Sequence, residues 1–123
     1  MIVVDTSVWV DHLRTGNAML QRLLDRGQVL AHPFVIGELA LGNLRQRVAV
    51  LGGLQGLPQA TVAAEAEVLH FIERNALPGR GIGYVHAHLL ASARLSGSAT
   101  LWTLDRRLQA IAASLGLSPA LPI

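Results

Sequence analysis

The chain has no cysteine and no lysine, and its aromatic residues are only two Trp, one Tyr and two Phe. Without cysteine there is no disulfide, no thiolate metal site and no cysteine nucleophile. No apolar run approaches the ~20 residues of a membrane span, since Gly, Arg, His or Glu interrupts each one. All ten basic residues are Arg, but a formal net charge of +2 is too small to identify a nucleic-acid binder. Met1 runs straight into a strand-like segment with no basic leader or cleavage site, so a cytoplasmic protein with no membrane attachment is expected.

What is present is core material. At 123 residues one domain spanning 1–123 is the natural count, and 51% of it is hydrophobic. A chain of this size buries roughly two-thirds of its unfolded surface, so it needs no covalent staples. The apolar surplus suits an oligomer or partner interface.

The pattern reads strand, helix, helix, strand, several helices, strand, helix. Residues 2–5 form the first strand, and Thr6 or Ser7 can cap a helix carrying Val8, Trp9, Val10 and Leu13. Asn17 caps a second helix from Ala18 to Arg26, which Gly27 ends. Val29 to Ala31 is a short strand, and Pro33 opens a helix running to about Leu44. Gly52, Gly53 and Gly56 loosen any helix over 46–57. Residues 61–76 form a helix, with Val62, Ala66, Leu69 and Ile72 on its buried face. A glycine-rich loop at 78–83 precedes a helix from Tyr84 to Leu95, a strand at 100–103 and a helix from Asp105 to Leu115. A last short strand near the C-terminus is a further expectation. Alternating strands and helices imply a parallel sheet covered on both faces.

Three acids invite chemistry. Asp5 and Asp105 each follow a strand of apolar β-formers, at the sheet end where open α/β folds bind ligands. Each also has a bland alternative as a helix N-cap. Glu38 has Phe34, Val35, Leu41 and Gly42 as helical neighbours, which puts it on or beside an apolar face, where it needs a proton, a metal or a partner such as Arg45. Two carboxylates ~5 Å apart repel by about 3 kcal/mol at an effective dielectric of 20. A cluster of three therefore takes up protons or a cation, and an all-carboxylate set suits Mg²⁺ or Mn²⁺. The loop Gly79-Arg80-Gly81-Ile82-Gly83 follows no strand and is not a nucleotide-binding fingerprint. His86 and His88, two apart, fall on different helix faces, and Trp9 and Trp102 read as core.

Together these residues form a recognisable set. Ile2-Val3-Val4-Asp5-Thr6-Ser7, the Glu38 helix, the run from Gly81 to Ser92 and Leu101-Trp102-Thr103-Leu104-Asp105-Arg106-Arg107-Leu108 resemble the VapC-type PIN-domain ribonuclease toxins over essentially the whole chain. The resemblance implies a three-layer α/β/α sandwich with a central parallel sheet and a Mg²⁺- or Mn²⁺-dependent endoribonuclease. It also implies a cognate antitoxin and a toxin homodimer. Asp5, Glu38 and Asp105 match the family's acidic, metal-holding positions, and Thr6 and Thr103 match the hydroxyls beside them. His86 departs from the pattern, because the family has an acid, normally Asp, at that place. It shares a helix face with Ile82, Leu89, Leu90 and Ala93 and is expected to point toward the acids as a substitute ligand. The loss of one anionic oxygen implies weakened or altered cleavage. The alternative is a catalytically impaired binding module acting through antitoxin or RNA, and a DNA-directed nuclease is a third reading. Arg80, Arg106 and Arg107 are candidate phosphate contacts.

Overall fold

In the computed structural model, which describes residues 1–121, three short parallel strands carry the fold. They are β1 (Ile2–Val4), β2 (Val29–Leu30) and β3 (Thr100–Trp102), in the spatial order β2-β1-β3. Ile2 and Val3 stand beside Val29 and Leu30 on one side, and Ile2, Val3 and Val4 beside Thr100, Leu101 and Trp102 on the other. All three residues of β1 are buried, so both faces of the central strand are covered, as a parallel sheet requires. The sheet edges are also closed. Ala31 exchanges backbone bonds with Pro58 and Ala60 beyond β2, and the Leu101 N–H donates to the Leu117 carbonyl beyond β3.

Seven helices complete the described residues: α1 (Thr6–Thr15), α2 (Ala18–Asp25), α3 (Pro33–Ala40), α4 (Arg47–Gln55), α5 (Glu65–Arg74), α6 (Tyr84–Leu95) and α7 (Arg106–Ser114). The main core joins Val3, Val4, Val8, Leu20, Val35, Leu89, Leu90, Leu101, Leu108 and Ile111 across the sheet and its helices. Trp9 and Trp102 are buried in it, as their sequence context suggests. The parallel sheet under its helices is the α/β architecture expected from the alternating pattern.

Several boundaries move, each for a local reason. Asp5 leaves the strand and takes the N-cap position of α1. The helix opened by Pro33 stops at Ala40 rather than near Leu44, because the Arg47 guanidinium reaches back to the Ala40 and Gly42 carbonyls and closes the turn. Residues 47–55 are helical despite Gly52 and Gly53, with Leu54 buried as the anchor. The expected helix over 61–76 begins only at Glu65. Before it the chain is extended, with the Thr61 N–H bound to Ser96 Oγ and the Ala64 N–H to Glu67 Oε1. Its buried face also differs from expectation: Val68 is buried with Phe71 and Ile72 packed beside it, while Val62 and Leu69 are exposed. No fourth strand forms among the described residues, and residues 122–123 of the expected C-terminal strand lie outside them.

The strand order fixes where function belongs. From β1 the chain crosses to β2 on one side, and β3 later enters on the other. The C-terminal ends of β1 and β3 therefore flank the crevice at which such sheets change direction. Asp5 and Asp105 follow those two ends.

Candidate active site

Asp5 is 3% exposed and sits at the N-cap position of α1, yet its side chain makes no capping bond. Instead Oδ2 accepts from the Thr103 hydroxyl at 2.7 Å and from the Ser7 hydroxyl at 2.8 Å. Each hydroxyl is itself an acceptor. Thr103 Oγ1 receives the Asp105 N–H at 3.0 Å, and Ser7 Oγ receives the Leu104 N–H at 3.0 Å. Two backbone amides thus feed two hydroxyls that converge on one carboxylate oxygen, an arrangement in which each bond polarises the next. The Asp5 N–H also holds the Trp102 carbonyl at 2.9 Å, which locks the two strand ends together.

The other carboxylates follow the same rule. Glu38 Oε1 accepts the Thr6 hydroxyl at 2.6 Å, which ties α3 to the start of α1. Asp105 Oδ1 accepts the Leu108 N–H at 2.9 Å and caps α7. Each acid is therefore oriented through one oxygen, and among the described residues the second oxygen takes no hydrogen bond from the protein. Thr6 and Thr103 each donate to a carboxylate, although Thr103 serves Asp5 rather than its neighbour Asp105. Ser7 is the member that the sequence reading missed; only its place two residues after Asp5 hinted at it.

One expectation needs correction. Glu38 is exposed, not buried on an apolar face, and its partner is Thr6 rather than Arg45. His86 is half-buried, with a buried Nδ1 that has no partner, and it makes no hydrogen bond to Asp5, Glu38 or Asp105 among the described residues. Its neighbour His88 packs instead against Phe34 in a tilted contact (4.5 Å between ring centroids) and edge-on against Tyr84 (4.7 Å).

No three His, Asp or Glu side chains among the described residues converge closely enough to hold an ion between them. The donor chemistry still fits a hard divalent cation, because the free oxygens are all carboxylate. An ion such as Mg²⁺ commonly keeps several waters and takes one or two carboxylates, completing its shell on a substrate phosphate.

The expected phosphate contacts scatter. Arg80 is exposed on the 78–83 loop, and Arg106 lies in a separate shallow hollow with Trp102, Thr103 and Gln109. Arg107 packs over Gly81, where a Cβ would meet its Nη1 at 2.6 Å. Glu38 and Thr6 instead line a groove of about 530 Å³ with Arg14 and Arg45.

The PIN-domain family pattern matches residues 2–114. The chain belongs to the PIN-domain family. Two strains of Mycobacterium tuberculosis, CDC 1551 / Oshkosh and ATCC 25618 / H37Rv, have a protein named Ribonuclease VapC32 that is 49% identical to this chain over 120 residues. The match covers 98% of this chain and 97% of each relative. With near-complete coverage, the likeness extends to the VapC type of PIN protein and not only to its fold.

Proposed function

We propose that this chain is the toxin of a toxin–antitoxin pair and an endoribonuclease that cuts RNA phosphodiester bonds at the crevice beside β1 and β3. The observation that carries the reading is Asp5. It is a buried carboxylate at a helix N-cap that declines to cap, and its two hydroxyl partners hold it by one oxygen only. Burying a charge in this way costs stability, and capping would have offset part of that cost. The family supplies the reaction class, and the relatives' name supplies the substrate class.

Among Asp5, Glu38 and Asp105, one or two free carboxylate oxygens at a time would hold a divalent metal, Mg²⁺ or Mn²⁺, with water and the substrate phosphate completing its shell. Such an ion lowers the pKa of water it binds and neutralises charge on a phosphate. The protein's own contribution is orientation: Thr6 fixes Glu38, while Ser7 and Thr103 fix Asp5. The cognate antitoxin and a homodimer belong to the same reading, with a cytoplasmic site of action. Leu41 and Val48, 91% and 88% exposed, offer uncovered apolar surface for a partner chain.

The second reading is a catalytically impaired binding module, favoured by the imidazole at the family's fourth acidic position and by its unbonded Nδ1. Cleavage of single-stranded RNA in Mn²⁺ and in Mg²⁺, by the chain as it stands and by His86→Asp, separates the two. A gain of at least roughly tenfold in the Asp variant supports a ribonuclease weakened at position 86. Equal, metal-independent rates would remove the argument from the lost ligand.

A further inference from the structure

We infer that Arg14 and Arg45 bind the phosphates of the RNA strand that leads into the site, making the α1–α3 groove the substrate track. This rests on the ribonuclease reading and deepens it. The groove carries Thr6 and Glu38 at one end, has Val10, Leu13 and Leu39 in its wall, and holds the two guanidiniums. Thr6, Val10 and Arg14 are spaced four apart on α1 and lie on one helix face. From Thr6 to Arg14 the helix rises about 12 Å, the length of roughly three to four stacked nucleotides. A strand whose phosphate meets Arg14 thus reaches Glu38 within a few residues.

Arg45 is freed for this role by its neighbour. Arg47 spends its guanidinium on the Ala40 and Gly42 carbonyls, which fixes the turn between α3 and α4. Between the two arginines, Gln46 is held at φ 52, the left-handed region that non-glycine residues rarely adopt. Among the described residues, the arginine side chains that hydrogen-bond to protein are those of Arg47 and Arg94, each to backbone carbonyls, so Arg14 and Arg45 keep their donors for a ligand. Glu38 is the one acid of the groove lining, and it stands at the reaction end. The remaining charge is positive where flanking phosphates would run. Guanidiniums suit phosphate because their forked donors match its oxygens.

The test is the affinity of a fluorescein-labelled single-stranded RNA, without divalent metal so that it is not cut, between about 50 and 200 mM salt. Arg14→Ala and Arg45→Ala should each weaken binding roughly tenfold and lower the slope of log K against log salt by about 0.7. Arg→Lys at either place should keep the slope. In Mn²⁺, the Ala variants should raise KM for RNA cleavage and leave kcat nearly unchanged, with thermal midpoints as in the parent. Arg74→Ala, outside the groove, should alter none of these. If the parent binds and cuts RNA while both Ala variants keep its slope and KM, the substrate-track assignment is wrong and a protein segment is the better occupant. A parent that neither binds nor cuts RNA overturns the ribonuclease reading and this inference together.

Discussion

Asp5 and Asp105 share one sequence signature and have opposite physical roles. Each follows a short strand and precedes a helix, and each occupies that helix's N-cap position. Asp105 is exposed and caps, spending one oxygen on the Leu108 N–H. Asp5 is buried and does not cap; its oxygen goes to two hydroxyls brought in from α1 and from the end of β3. The lesson is that a strand-end carboxylate is diagnosed by its partners rather than by its position. A cap needs only the following turn, whereas Asp5 draws on residues about a hundred positions apart in the chain.

The largest effect concerns a third N-cap, His32, which stands at the head of the helix that carries Glu38. Its Nδ1 accepts the Phe34 N–H at 3.0 Å, so Nε2 carries the proton toward Ser92 Oγ at 2.9 Å. Burial, with a smaller contribution from His88, lowers its pKa from 6.5 to about 4. The unfolded chain therefore takes up this proton near pH 6.5 while the folded chain resists it to about pH 4. Stability from this group is complete above 6.5 and declines as pH falls toward 4, by on the order of 3 kcal/mol. Urea midpoints across that range should flatten in His32→Gln, which has no such group to protonate.

Thr103→Val should come next. It takes a donor from Asp5 and an acceptor from the Asp105 amide, and its site is 1% exposed. A loss of about 1–3 kcal/mol is expected in chemical denaturation, with RNA cleavage reduced as well. The smallest effect is at Asp105. Alanine there should cost about 1 kcal/mol by removing the cap, whereas Asn, an equally good cap, should stay within ~0.5 kcal/mol. If Asp105→Asn keeps stability but loses cleavage, capping and chemistry are separate uses of one side chain. If both survive, Asp105 is a cap alone.

Much of this was legible in the sequence. The order of strands and helices, the cap at Asn17, Pro33 at a helix start and the buried tryptophans all follow from local signals that the tertiary structure leaves intact. Asp5 and Asp105 stood out as strand-end acids, but the reason for Glu38, an apolar helix face, did not hold, because Glu38 is exposed. The rest depended on long-range contacts. Which face of α5 is buried was set by its packing on α6, which selects Val68, Phe71 and Ile72 over the Val62 and Leu69 stripe. The extended start of that segment depends on Ser96, 35 residues away in sequence. Ser7 gave little signal beyond its nearness to Asp5, because its role needs Asp5 and the Leu104 amide at the same place. Arg14 and Arg45 resembled any other surface arginines until α1 and α3 met across one groove.

If Asp5 is held for chemistry rather than for stability, Asp5→Asn should separate cleavage from folding. The amide keeps the side chain's shape and can still accept from Ser7 or Thr103, so the fold should persist with a nearly unchanged thermal midpoint. Cleavage of single-stranded RNA in Mn²⁺, measured beside the parent, should fall by about a hundredfold or more. A folded Asp5→Asn variant that cuts as fast as the parent would contradict the account.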